Sequence, residues 1–140
     1  MNYHLFLKNP YDPADPQNQA QIEVGLRFLG NIAILWELSD SQKRAILHLS
    51  LHQFQKIVID NNLEELDDEM MVKLRVRLSW LATVRKEIEL TWPQDYWDEY
   101  VNAPNTQLGG KSLVDLMVET EDGLLAAKRY VLASTQTNYL

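Results

Sequence analysis

A chain of 140 residues with 46% hydrophobic content is long enough to bury a core, and it suits one domain or two intimately packed helical subdomains. It has no cysteine, which excludes disulfides and thiolate metal sites, and a formal net charge of -7, which argues against a main task of gripping nucleic-acid phosphates. The excess is uneven: residues 1–62 carry 5 Lys/Arg against 6 Asp/Glu, while residues 63–140 carry 8 against 14.

The opening Met1-Asn2-Tyr3-His4-Leu5-Phe6-Leu7-Lys8 has no basic start and only a short apolar run. It reads as neither a signal peptide nor a membrane span, and a cytoplasmic address is expected. Pro10, Pro13 and Pro16, with Asp12 and Asp15 between them, forbid a helix, so residues 1–16 form an extended lead-in whose Tyr3, Leu5, Phe6 and Leu7 are expected to pack on the body. From Gln17 a helix is predicted, because Ile22, Leu26, Leu29, Ala33 and Trp36 recur every three or four residues. Gly25 and Gly30 either weaken it or permit a close helix contact.

Ser39 followed by Gln42, and Ser50 followed by Gln53, are two capping-box starts in quick succession. Two helices of about ten residues meeting near Leu49-Ser50 make residues 17–62 a helix-turn-helix-like region. If the second short helix reads bases, its candidates are His52, Gln53, Gln55 and Lys56, since Gln suits adenine and Lys suits guanine edges. The stretch from Ser39 to Asp60 carries only Lys43, Arg44 and Lys56 against Asp40 and Asp60, a weak phosphate footprint.

Asn61-Asn62 ends that pattern. Glu64, Glu65, Asp67, Asp68 and Glu69 then bring negative charge to the start of a long helix, where the dipole favours it. That helix, within a connecting span of residues 63–92, runs from about Asp67 to Leu90. Its stripe of Met71, Leu74, Leu78 and Leu81 reads as core or as a homodimer seam. Pro93 restarts the chain in a helix through Val101, whose Trp92, Tyr96, Trp97 and Tyr100 alternate with acids. Aromatics interleaved with acids fit a core or a protein interface, whereas nucleic-acid platforms pair them with bases. Pro104 stops this helix, Gly109-Gly110 allows a tight reversal, and Ser112 with Asp115 starts the next helix. Thr120 is expected to cap a last helix through Leu132, and the polar end from Ser134 to Leu140 is expected to fray.

Catalytic chemistry finds no footing. His48 and His52 are four apart but straddle a cap, and no carboxylate completes a ligand pattern, so no metal and no cofactor is expected. Gly109-Gly110-Lys111-Ser112 echoes the end of a phosphate loop, yet the earlier glycine of that motif would be Asn105 and no strand precedes it.

The segment comprising Trp97, Pro104, Asn105, Leu108, Gly110, Lys111, Ser112, Asp115, Leu116, Gly123, Arg129, Tyr130 and Leu132 resembles the C-terminal toxin-binding domain of the Xre/MbcA/ParS antitoxin family. Leu113 and Val114 stand where that family usually has Pro-Leu. Trp36-Glu37-Leu38-Ser39 is similar to the family's entry into its helix-turn-helix region, and His48 replaces a usual turn glycine, which is expected to blunt the turn. The resemblance implies an all-α fold: a helix-turn-helix region joined by a long helix to a small helical toxin-binding domain over residues 93–140. It implies an antitoxin that neutralises a cognate toxin by direct binding, typically a RES-domain toxin that consumes NAD, and that autoregulates its operon where operator DNA is bound. The implied toxin-binding residues are Asn105, Leu108, Gly109, Gly110, Lys111, Ser112, Arg129 and Tyr130. A DNA-binding regulator without a toxin partner, and a dimeric interaction protein that binds no DNA, are the other readings.

Overall fold

The computed structural model describes residues 16–64 and 66–138, so of the lead-in expected over residues 1–16 only Pro16 is described, and it opens the first helix, where a proline's missing N–H costs nothing, instead of ending an extended segment. Seven α-helices follow in order among the described residues: α1 (Pro16–Leu35), α2 (Asp40–Leu47), α3 (Leu51–Phe54), α4 (Asp68–Thr91), α5 (Trp97–Asn102), α6 (Leu113–Glu119) and α7 (Gly123–Asn138). No strand occurs among them, so the fold is all-α as expected. None of the helices is long and apolar enough to cross a membrane.

Local chemistry sets most of the starts. Ser39 Oγ accepts from Gln42 N at 3.1 Å while Gln42 Oε1 accepts from Ser39 N at 2.8 Å, and Ser50 and Gln53 repeat the arrangement at 3.1 and 2.9 Å. Each box satisfies two backbone donors that a helix start leaves open. Asp67 Oδ1 caps α4 through Met70 N at 2.8 Å, and Asp68 and Glu69 sit in its first turn. The second short helix differs from expectation: after Phe54 it widens into a π turn over Gln55–Ile59.

Three turns adopt left-handed backbone at residues other than glycine, Glu37 (φ 57°), His48 (φ 55°) and Asn61 (φ 54°). His48 therefore does not blunt the turn between α2 and α3. Its own N–H donates to Ala45 O and that of Leu49 to Arg44 O, both at 3.1 Å, and Leu49 is buried behind it, so the closing bonds of the helix end hold the imidazole-bearing residue in place. A left-handed non-glycine residue carries a steric cost. His48→Gly should accordingly raise the unfolding free energy by roughly 0.5–1 kcal/mol, read as a higher urea midpoint at unchanged slope.

The long helix α4 is the axis of the molecule, packed against α1 on one side and α7 on another. Met71, Leu74, Leu78 and Leu81 are 7%, 1%, 5% and 1% exposed, and Val84 and Ile88 continue the stripe. The stripe offered as a homodimer seam is therefore intramolecular core, because α1 and α7 already cover it. Gly25 of α1 explains part of that fit: a Cβ there would lie 3.0 Å from Leu78 Cδ1. The apolar cluster runs without a break from Ile22 through Ile46, Leu74 and Val101 to Val131, so α2, α6 and α7 share one core with α1 and α4.

The C-terminal boundaries also move. The expected single helix after Pro93 is a 3₁₀ turn over Gln94–Tyr96 followed by the short α5. Thr120 ends α6 instead of capping the last helix, with its carbonyl accepting from Gly123 N at 3.1 Å, and α7 continues past Leu132 to Asn138.

Candidate functional site

The loop between α5 and α6 is built by its own residues. Asn105 and Lys111 pair in a single antiparallel bridge, with Asn105 N donating to Lys111 O at 3.0 Å and Gly110 N donating to Asn105 O at 2.9 Å. The reversal inside it requires left-handed backbone at two consecutive positions, which Gly109 (φ 70°) and Gly110 (φ 85°) supply without steric cost. Both glycines are exposed, so backbone is presented to the surface at the tip. A Cβ at either would meet nothing within 4 Å, so it is the backbone angle that calls for glycine.

Asn105 then ties the loop to α7. Its Oδ1 accepts from Gln107 N at 2.8 Å, its Nδ2 donates to Tyr130 Oη at 2.8 Å, and Tyr130 Oη donates to Gln107 Oε1 at 2.8 Å. This closed set fixes the loop on the last helix. On the far side Ser112, 5% exposed, caps α6 in a capping box with Asp115. Lys111 Nζ pairs with Glu119 across the surface.

The eight residues implied as toxin-binding thus separate into two groups. Gly109, Gly110, Lys111 and Arg129 are exposed and available to a partner. Asn105, Leu108 and Tyr130 are half-buried, and Ser112 is buried: they hold the loop's shape, with Leu108 and Tyr130 packed on the core and the Ser112 hydroxyl engaged in the cap. A Tyr130→Ala change would open the loop as well as alter the surface, so it is not a clean probe of binding.

Beside this loop lies an aromatic surface. Trp92 is 40% and Tyr96 54% exposed, and the Trp92 and Tyr100 rings stand tilted at 31° with centroids 5.3 Å apart. Burial, together with the neighbouring Tyr130, raises the Tyr100 hydroxyl above its ordinary pKa, so it stays neutral; a hydrogen bond with the Trp92 side chain opposes the shift. Trp97 is half-buried and donates its indole N–H to Trp92 O at 2.7 Å, which turns the start of α5 against the end of α4. Two depressions flank the pair. One of about 400 Å³ includes Glu87, Gln107 and Tyr130 in its lining, and one of about 390 Å³ includes Tyr96, Glu99 and Asn105; Trp92 and Tyr100 line both.

The acids of the C-terminal half do not form a single patch. Asp98 and Glu99 belong to this face, Glu119 pairs with Lys111, and Glu121 lies within 3.8 Å of His48 on a different surface. Gln107 lies in the loop itself, in the 3₁₀ turn over Thr106–Leu108, whereas no spacing in the sequence marks Glu87, which reaches the site only because α4 packs beside α7.

The DNA-reading candidates fare differently. Gln53 is committed to its capping box, Gln55 Nε2 donates to Asp60 Oδ1 at 3.2 Å, Lys56 is half-buried, and His52 is exposed. Lys43 pairs with Asp40 at 2.8 Å. No protein-family model, no curated protein and no solved structure matches this chain, so the resemblance rests on the motif residues themselves.

Proposed function

We propose that this chain is an antitoxin acting in the cytoplasm, which neutralises a cognate toxin by direct protein–protein binding through the α5–α6 loop and its aromatic flank. The observation that carries the reading is one of place. The residues that resemble the family's toxin-binding box build a rigid loop with exposed glycine backbone, and that loop borders an exposed aromatic surface with carboxylates in its walls. Exposed aromatics beside a rigid loop are the composition of a protein-binding surface. The acidic walls complement a toxin pocket made basic to hold dinucleotide phosphates, and the suspected class of partner, a RES-domain NAD-consuming toxin, follows from the resemblance alone.

The alternative, a DNA-binding regulator, has less support, because its base-reading candidates Gln53 and Gln55 are engaged within the fold. Low-salt footprinting on the chain's own promoter separates the readings: protection by the isolated chain would favour the regulator.

The direct test is co-expression with the product of the neighbouring gene. The wild type should restore growth and co-purify, and Lys111→Glu should weaken capture about tenfold, a change of about 1.4 kcal/mol. Lys111 sits in an exposed ion pair, so the same substitution should leave the melting temperature within a degree or two of wild type. Full neutralisation by Lys111→Glu at limiting expression would remove this residue from the interface, and failure of the wild type to capture or rescue would remove the antitoxin reading.

A further inference from the structure

The two depressions beside Trp92 belong to a longer track. A third, of about 440 Å³, shares Glu99 and Ala103 with the second and adds Glu37, Asp98 and Asn102. Shared lining residues set the three side by side in a row, from the end of α7, past the Trp92–Tyr100 pair, to the turn after α1. Among the described residues their lining includes four carboxylates, Glu37, Glu87, Asp98 and Glu99, and no lysine, arginine or histidine.

One of these carboxylates is held in place by the fold. Asp98 Oδ1 accepts from Asn102 Nδ2 at 2.8 Å, and the same amide donates to Trp36 O at 2.9 Å, which anchors this end of the track to the close of α1. Glu99 is exposed and lines both the second and the third depression. Negative charge along a row of depressions lined by aromatic rings is complemented by a cation. A guanidinium or ammonium gains from the ring faces and from the carboxylates together, whereas an anionic strand such as nucleic acid meets repulsion along the whole length.

We infer that this track takes an extended, arginine- or lysine-bearing segment of a partner protein, with a cationic side chain over the Trp92–Tyr100 pair and facing Glu99. The inference rests on the reading of this face as a protein-binding surface and adds the chemistry of what enters it. Exposed carboxylates act through a screened field, so the attachment weakens as salt rises.

The test uses the full chain and a fluorescein-labelled decapeptide in which arginine alternates with serine, beside the same peptide with glutamate for arginine. Anisotropy should show binding of the arginine peptide alone, a loss of at least tenfold in Trp92→Ala and in Glu99→Lys, and wild-type affinity in Glu23→Lys, an exposed charge change on α1. Thermal melts establish that the variants remain folded. Equal binding of both peptides, or wild-type affinity in both track variants, overturns the inference. So does a dimer mass in light scattering that Trp92→Ala abolishes, since the occupant would then be a second copy of this chain. The antitoxin reading fails separately. If the neighbouring-gene product is captured and the capture ignores Trp92→Ala and Glu99→Lys, the track inference falls and the antitoxin reading stands. If the arginine peptide binds and the toxin is not captured, the reverse holds.

Discussion

Replacing Arg77 with methionine should lower the unfolding free energy by about 2–3 kcal/mol, and replacement with alanine by about 4 kcal/mol. Arg77 points from α4 into the core and is only 6% exposed. Its Nε donates to Ile46 O at 2.8 Å and its Nη1 to Glu121 O at 2.7 Å. The first of these carbonyls is in the last turn of α2, where helix geometry leaves oxygens without partners, and the second is in the turn between α6 and α7. One side chain thus joins two segments that are far apart in sequence. Burial lowers its pKa, and Glu121 and Asp122 oppose that shift, so the charge is retained at a cost. Methionine of similar length removes that cost and leaves two carbonyls unbonded. Hydrogen bonds from a charged donor are worth about 1.5–3 kcal/mol each, so the loss outweighs the relief. Alanine adds a cavity to the same loss. Urea unfolding followed by circular dichroism checks both values. A methionine variant within 0.5 kcal/mol of wild type would mean that desolvation of the charge cancels the two bonds.

The second large effect is expected at Gly123. A Cβ built there would lie 2.0 Å from Leu116 O, a backbone atom that cannot turn aside. Gly123→Ala should therefore force α6 and α7 apart, lowering the unfolding free energy by about 2–4 kcal/mol and shifting the loop that Tyr130 holds. Gly30 is the control, because it lies on the exposed side of α1 and a Cβ there meets nothing within 4 Å. Gly30→Ala should raise stability by about 0.5–1 kcal/mol through helix propensity and a less free unfolded chain. Equal effects of the two substitutions, measured by thermal unfolding, would contradict the packing given for the α6–α7 junction.

The contrast between these glycines marks how much the sequence holds. Helix starts were legible because a cap is a local device: Ser39 with Gln42, Ser50 with Gln53, and Ser112 with Asp115 each contain both partners within four residues, and all three boxes form. The long helix and its buried stripe were legible for a similar reason, since periodicity is written along the chain. What covers the stripe was not. Met71, Leu74, Leu78 and Leu81 read equally as core or dimer seam until α1 and α7 are seen to pack on them.

Helix ends were less legible than starts. Glu37, His48 and Asn61 take left-handed backbone without being glycine, because bonds from the following residues and burial of Leu38 and Leu49 hold them there. The motif loop was recognised from its residues, but the sequence does not separate Asn105, Ser112 and Tyr130, which shape it, from Gly109, Gly110, Lys111 and Arg129, which face outward. The chain by itself determined where the helices opened by a capping box begin, which faces are apolar and where the acid lies, because those depend on residues within a few positions of one another. Tertiary structure alone decided that the aromatic residues at the end of α4 face the loop, that Glu87 joins Glu99 along one track, and that Arg77 clamps α2 to the turn before α7. Those relations join residues 12 to 44 positions apart (99 − 87 and 121 − 77), which no local periodicity encodes and only the packing of α1 and α7 around α4 brings together.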